Sequence, residues 1–302
     1  MRVLVTGSNG LLGQKLVKLL SNVSDIELLA TSTGKNRISS LTGFNYASLD
    51  ITNKNEVEKV FSEFKPTVVI NTAAMTNVDA CEDKKEECWN LNVNAVQHLI
   101  DASKKHEIHL IHLSTDFVFD GESGPYKEDD KPNPLSYYGK SKYEAEKLIQ
   151  QSGIKWSIVR TIIVYGVVED MSRSNIVLWA KQALEKGDPL TIVDDQFRMP
   201  TLAEDLAYAC WQIAEKSATG IYHISGKDFM SILELVNRVA DFYGLDKSII
   251  SPVKSSSLNQ AAKRPARTGF ILDKAYRDLD YSPCTFEEGL AILDKQLQVV
   301  KG

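Results

Sequence analysis

Arg2-Val3-Leu4-Val5-Thr6-Gly7-Ser8-Asn9-Gly10-Leu11-Leu12-Gly13 is the stretch on which the fold turns. Apolar residues of buried-strand type run directly into a glycine-rich turn, and an amphipathic helical pattern continues to about Leu20. Strand, turn and helix in that order are the context a dinucleotide-binding fingerprint requires. The spacing is GxxGxxG rather than GxGxxG, and it can do the same work. Gly7 allows the sharp turn, Gly10 lets backbone approach a pyrophosphate, and Gly13 lets helix pack on strand. The phosphates would meet the N-terminus of the helix, so Asn9, Leu11 and Leu12 join the glycines as candidate cofactor contacts. The plain alternative is a glycine-rich turn that holds no ligand.

The strands that follow extend the reading. Glu27 to Thr31 is a second strand, and an NAD-specific site usually ends it with an acid for the ribose 2′-hydroxyl. Here Ser32, Thr33, Gly34, Lys35 and Arg37 stand instead, and hydroxyls with two cations suit a 2′-phosphate. The expectation is NADPH, with NADH as the open alternative. A short third strand, Asn45 to Leu49, leads to Asp50 and Ile51. These either hold the adenine, or Asp50 caps a helix starting near Asn53. After a fourth strand, Thr67 to Asn71, the run Thr72-Ala73-Ala74-Met75 lets a cofactor come close to backbone. Lys85 to Lys104 has helical period, with Asn92 on a face that carries Leu91, Ala95 and Leu99. Ile108 to Leu113 is a fifth strand. His109 and His112 lie on its opposite faces, and no acid or thiol has ligand spacing with them, so no metal site is expected.

Ser114, Thr115 and Asp116 come directly after that strand, where an open parallel sheet binds its ligands. Ser136-Tyr137-Tyr138-Gly139-Lys140-Ser141-Lys142 then reads as the first turns of a helix, capped by Ser136 and stopped at Gly153. Tyr138 and Lys142, at i and i+4, share one face about 6 Å apart along the axis. An ammonium near a phenol favours the phenolate, so Lys142 is expected to draw the Tyr138 pKa down. The same spacing on a wet surface would be an idle solvated pair. A hydroxyl from Thr115 beside a tunable phenol is what carbonyl reduction needs.

Composition bounds the rest. The chain has 302 residues, 43% hydrophobic and 25% charged, with a net charge of -5. That balance argues against nucleic acid or an anionic membrane surface as main partner. Cys81, Cys88, Cys210 and Cys284 form no CxxC and read as reduced cytoplasmic thiols. The chain starts straight into a strand without a basic leader, and no apolar run approaches the ~20 residues of a membrane span. The expected class is α/β: a Rossmann-type doubly wound parallel sheet with a smaller C-terminal α/β substrate-binding lobe. Residues 1–166 plus about 196–225 form the first domain, and about 167–195 plus 226–302 the second.

In order, Thr6-Gly7-x-x-Gly10-x-x-Gly13, Asp50-Ile51, Asn71-Thr72-Ala73-Ala74, Asn92-Val93-Asn94-Ala95 and Tyr138-x-x-x-Lys142 resemble the extended short-chain dehydrogenase/reductase family. The resemblance covers nearly the whole chain. Ser114 to Gly121, Pro125-Tyr126-x-Glu128, Pro134-Leu135-x-x-Tyr138, Asp195-Gln196 with Pro200-Thr201, and Arg264-Pro265 look most like its dTDP-4-dehydrorhamnose reductase branch. The resemblance implies reduction of a nucleotide-linked 4-keto sugar. Tyr138 would donate the proton, Lys142 would hold the nicotinamide ribose, Thr115 would bond the carbonyl oxygen, and Asn92 would help order a relay water. Ser114 would contact the cofactor. Asp116, Ile163, Arg198 and Arg264 would face the substrate, with Arg264 on its diphosphate.

Two departures fall in that pocket: Ile163 stands where the branch has tryptophan, and Arg198 where it tends to have glycine. The regulatory subunit of methionine adenosyltransferase resembles the same branch, so a non-catalytic cofactor-binding subunit is the second reading. A dehydratase is disfavoured because Asp116 precedes Phe117 with no acid pair, and a tight NAD-holding epimerase by the basic loop after the second strand. A homodimer and a Mg2+ requirement are left open.

Overall fold

The structure, a computed structural model, describes residues 1–170 and 174–301, with side chains to Gln298. Six strands in chain order are β1 Arg2–Thr6, β2 Glu27–Ser32, β3 Asn45–Ser48, β4 Val68–Asn71, β5 His109–Thr115 and β6 Lys155–Thr161. With an edge strand, Gly220–His223, they form one seven-stranded sheet in the order edge, β6, β5, β4, β1, β2, β3. Every pairing in it is parallel. The order reverses between β1 and β4, so the crevice at the topological switch point opens beyond the glycine turn.

Strand periodicity assigns the two faces. Val3 and Val5 of β1 pack with Leu16, Val17 and Leu20 of helix Leu11–Leu20, whereas Leu4 points the other way, to Val57, Phe61, Leu99 and Ile149. The same alternation runs through β5, with Ile111 and Leu113 on the first face and Leu110 on the second. Side chains of period two on a sheet buried on both sides give this division. Helix Ala203–Glu215 begins after Leu202 without a side-chain cap, and Asp205 accepts from Cys284 N at 3.1 Å instead. Asp50 is not a cap: Asn53 caps helix Lys54–Phe64, and Asp50 closes a local turn onto Thr52.

A separate hydrophobic core gathers Tyr165, Val177, Leu184, Ile192, Leu235, Val239 and Leu290. Helices Ile176–Lys186, Ile232–Tyr243 and Phe286–Lys301 surround a parallel pair, Leu190–Val193 with Ile250–Val253. Short pairings stitch it to the sheet: Val164–Tyr165 with Thr201–Leu202, and Phe197–Arg198 with Met230–Ser231. Helix Ala203–Glu215 packs on Leu11–Leu20, tied by Lys15 to Glu204 at 2.8 Å.

The glycine turn is closed by contact. Gly7 has φ +67°, and a Cβ there would lie 2.8 Å from Ala73 N. A Cβ on Gly13 would lie 2.3 Å from the Gly7 carbonyl and 2.6 Å from Ser8 Cα, both backbone atoms that cannot swing aside. Gly13→Ala is therefore expected to lower unfolding free energy by about 1–3 kcal/mol. Thermal melts of the variant would check this, and an unchanged melting temperature would refute the packing argument.

Candidate active site

Helix Tyr137–Gln151 places the central residues. Ser136 caps it by accepting from Gly139 N at 3.2 Å, and Gly153 follows it at φ +72°. Tyr138, Lys142, Ala145, Glu146 and Ile149 form its buried stripe, as the helical period requires. Gly139 lets the helix start close to the sheet, since a Cβ there would lie 2.2 Å from the Phe117 carbonyl. Glu146, fully buried, accepts from Ser114 Oγ at 2.6 Å and from Arg160 Nε and Nη2 at 3.0 and 2.7 Å. Ser114 is therefore committed to this pair rather than turned to a cofactor.

At the end of β5, Thr115 and Tyr138 meet. The Thr115 hydroxyl, which donates to Asp116 Oδ1 at 3.2 Å, lies beside the phenol, whose ring is edge-on to Phe117 at 5.8 Å. Burial holds the phenol well above its ordinary pKa; the adjacent Thr115 hydroxyl opposes this and the nearby Asp116 reinforces it. The expectation that Lys142 would draw the value down is corrected. Lys142 Nζ reaches back to β5 and bonds His112 Nε2 at 3.1 Å. Burial pushes the lysine itself down to about 8, against an opposing pull from Glu146. Desolvation disfavours whichever form carries charge, so a buried phenol and a buried amine both move towards neutrality.

Asn92 lies in a π-helical turn, Asn90–Asn94, between helices Lys85–Trp89 and Ala95–His106. The continuous α-helix expected over Lys85 to Lys104 is broken by this bulge, a feature that collects at functional sites. Its side chain accepts from Met75 N at 2.8 Å and donates to Met75 O at 3.1 Å and Ser141 Oγ at 3.0 Å. The amide thus braces the Met75 backbone and helix Tyr137–Gln151 with both of its N–H donors, and its oxygen keeps one further acceptor position.

A crevice of about 290 Å³ opens beside this cluster. Of the expected cofactor residues, Gly7, Asn9, Gly10, Ser32, Arg37, Asp50, Ile51, Thr72, Ala73 and Ala74 line it. Thr33, Leu49 and Leu91 line it as well. Leu91 looks like core in sequence, because it shares the apolar face of its helix with Ala95 and Leu99, and Leu49 looks like the mere end of a strand. The residues fit a dinucleotide. Helix Leu11–Leu20 has no side-chain cap, so the Leu11, Leu12 and Gly13 amides are left to a ligand or solvent. A Cβ on Gly10 would meet only the Gly7 carbonyl, which leaves that face open. Lys35 is exposed and contributes its carbonyl to Asn9 Nδ2 at 2.9 Å. The Arg37 guanidinium rests near Asp170 at 3.5 Å.

The residues expected on the substrate need correction. Asp116 and Arg198, each about 2% exposed, face one another at 3.5 Å. Arg198 donates to the Pro265, Ala266 and Phe197 carbonyls at 2.6, 3.2 and 2.8 Å, and Asp116 also takes the Thr268 hydroxyl. Both are consumed in tying loop 264–268 to the turn after β5. Arg264 forks onto Asp79 at 2.5 and 3.1 Å. Ile163 is half-buried between the two cores at φ +36°, a left-handed conformation costly for a β-branched residue. Among the described residues no cluster of three or more His, Cys, Asp or Glu could hold a metal ion, and no helix is long and apolar enough to cross a membrane.

Residues 1–299 match the family model described as RmlD substrate binding domain. A dTDP-4-dehydrorhamnose reductase of Aggregatibacter actinomycetemcomitans is 34% identical, over 96% of this chain and 97% of the relative. Methionine adenosyltransferase 2 subunit beta of Danio rerio is 35% identical, over 87% and 80%. A solved dTDP-4-dehydrorhamnose reductase of Bacillus anthracis, in complex with NADP, superposes with TM-score 0.83 at 26% identity over 98% of this chain and 99% of that one.

The depressed Lys142 predicts a sign for stability. A lysine whose folded pKa lies near 8, below its free value of 10.5, contributes favourably above 10.5, and the contribution is lost as pH falls through 8. Lys142→Met is therefore expected to unfold at higher denaturant than wild type at pH 7, by roughly 3 kcal/mol at most. The gain should shrink as pH rises from about 8 to 10.5. Urea titrations across that range check it; a gain that does not vary with pH would contradict it.

Proposed function

Because the chain belongs to the RmlD substrate binding domain family, we propose that it reduces the 4-keto group of a nucleotide-linked sugar, most simply dTDP-4-dehydro-L-rhamnose to dTDP-L-rhamnose. It is an NAD(P)H-dependent oxidoreductase of the extended short-chain dehydrogenase/reductase type. The observation that carries the reading is that the end of β5 and the first turn of helix Tyr137–Gln151 set the Thr115 hydroxyl beside the buried Tyr138 phenol.

Gly7, Gly10 and the amides of Leu11 and Leu12 hold the pyrophosphate of the coenzyme, and Asp50, Ile51 and Leu49 its adenine end. Ser32, Thr33 and Arg37 receive a 2′-phosphate, which makes NADPH the preferred form. When bound, the coenzyme supplies hydride from C4 of its reduced nicotinamide ring. Tyr138 serves as the acid. Burial keeps its phenol protonated, which is the state a proton donor to a carbonyl must start in. Thr115 adds a second hydroxyl donor to the oxygen where negative charge develops. Lys142 has N–H donors not engaged by His112 for the nicotinamide ribose. The second core, residues about 167–195 and 226–302, forms the sugar-nucleotide lobe against the domain of residues 1–166 and about 196–225.

A second reading, a non-catalytic cofactor-binding subunit, is favoured by the Danio rerio relative. Purified protein separates the two. Reductase activity predicts oxidation of NADPH with a dTDP-4-keto sugar, a fall in kcat of about 10²-fold or more for Tyr138→Phe, and unchanged NADPH affinity in that variant. NADPH binding without turnover on any 4-keto sugar nucleotide, with Tyr138→Phe equal to wild type, would instead support the subunit reading. Arg37→Ala should weaken NADPH by roughly tenfold or more and leave NADH nearly unchanged, read by fluorescence titration.

A further inference from the structure

Lys142 is the end of a buried line of side chains that the reaction scheme does not use. Thr6 Oγ1 donates to Asn71 Oδ1 at 2.6 Å, Asn71 Nδ2 lies 2.9 Å from His112 Nδ1, and His112 Nε2 lies 3.1 Å from Lys142 Nζ. Thr6, Asn71, His112 and Lys142 are each at most 2% exposed, so solvent cannot supply a missing partner.

The protons along this line can be assigned. The Ala73 backbone N–H, which can only donate, points at Asn71 Oδ1 at 3.3 Å. The Asn71 amide is therefore oriented with its NH₂ end towards His112. An amide nitrogen donates and never accepts, so His112 Nδ1 must present its lone pair. The ring is neutral: burial and the Lys142 charge both hold it well below the ordinary histidine pKa. Its single proton consequently sits on Nε2, the atom that faces Lys142. An ammonium there would bring donor against donor, whereas a neutral amine accepts the bond.

We infer that His112 is a positioning residue that, with its tautomer set by Asn71, holds Lys142 Nζ in place and biases it towards the neutral amine in the coenzyme-free protein. The inference rests on the coenzyme role given to Lys142 above only for its consequence in binding. The other ionisable groups acting on Lys142 are Glu146 on its own helix and Cys88 from helix Lys85–Trp89, and both favour the ammonium. His112 therefore opposes them from β5. Strand parity puts it there: His112 and Ser114 share the sheet face on which helix Tyr137–Gln151 lies, through Leu110 and Ala145. The device links the lysine to the turn after β4, because Ala73 lines the coenzyme crevice and also fixes the Asn71 amide.

The test needs no substrate. ¹⁵N NMR of histidine-labelled protein without coenzyme, from about pH 6 to 9, should show His112 neutral with Nε2 protonated. Asn71→Asp replaces the donor with an acceptor and should move the proton to Nδ1. It should also raise the alkaline limb of NADPH affinity by about one pH unit, because Nε2 then accepts from the ammonium. His112→Leu, which leaves Glu146 and Cys88 intact, should raise that limb too. An Nδ1–H tautomer in the wild type, a ring that titrates near pH 6, or an alkaline limb unmoved in both variants would overturn the inference. A protein that turns over no sugar nucleotide would still give these readouts, so the two proposals fail separately.

Discussion

One buried carboxylate organises the centre of this molecule. Glu146 holds Ser114 at the end of β5 and Arg160 on β6 together, with no exposed surface of its own. Breaking such a pair by removing one partner leaves a charge in a low dielectric and costs about 3–5 kcal/mol. The helix that carries Glu146 is therefore fixed in rotation and in height against the sheet. Tyr138 and Lys142 lie two turns and one turn before it on the same stripe. They have no freedom to face elsewhere once Glu146 is seated. Gly139 completes the constraint by letting the first turn of the helix touch the Phe117 carbonyl.

Burial then sets the proton states that the chemistry starts from. The same desolvation that keeps the Tyr138 phenol protonated weakens the basicity of Lys142. A tyrosine meant to give a proton to a carbonyl benefits from the first effect. The second is moderated by Glu146, one turn down the helix, and reinforced by the His112 ring. The site is thus a buried pocket that disfavours charge on both groups.

The two hydrophobic cores meet through charges that are spent on the protein itself. Arg198 and Asp116 neutralise each other and gather the carbonyls of loop 264–268, while Arg264 clasps Asp79 on helix Val78–Asp83. A buried arginine needs several acceptors to offset its desolvation, and backbone carbonyls of an irregular loop provide them. The consequence is a rigid seam beside Thr115. Ile163, strained and half-buried, sits at the same seam.

Local order and the lining of the glycine-rich crevice were legible in the sequence. Gly7 and Gly13 announce a turn that admits no side chain, and that demand is largely local: it depends on the positive φ at Gly7 and, for Gly13, on the nearby Gly7 and Ser8 backbone. The i, i+4 spacing of Tyr138 and Lys142 likewise follows from helix geometry alone. Which group Lys142 would touch did not follow. His112 lies 30 residues upstream and Asn71 another 41 before that, and only the packing of helix on sheet brings them into line. The fates of Arg198 and Arg264 were hidden for the same reason. An arginine in a loop looks available to a phosphate until the fold places Asp116 or Asp79 against it. Sequence determined the elements and the faces they present, because those arise from bonds and periodicities within one segment. Tertiary structure decided charge and proton ownership, because burial and partnership depend on segments that meet only after folding.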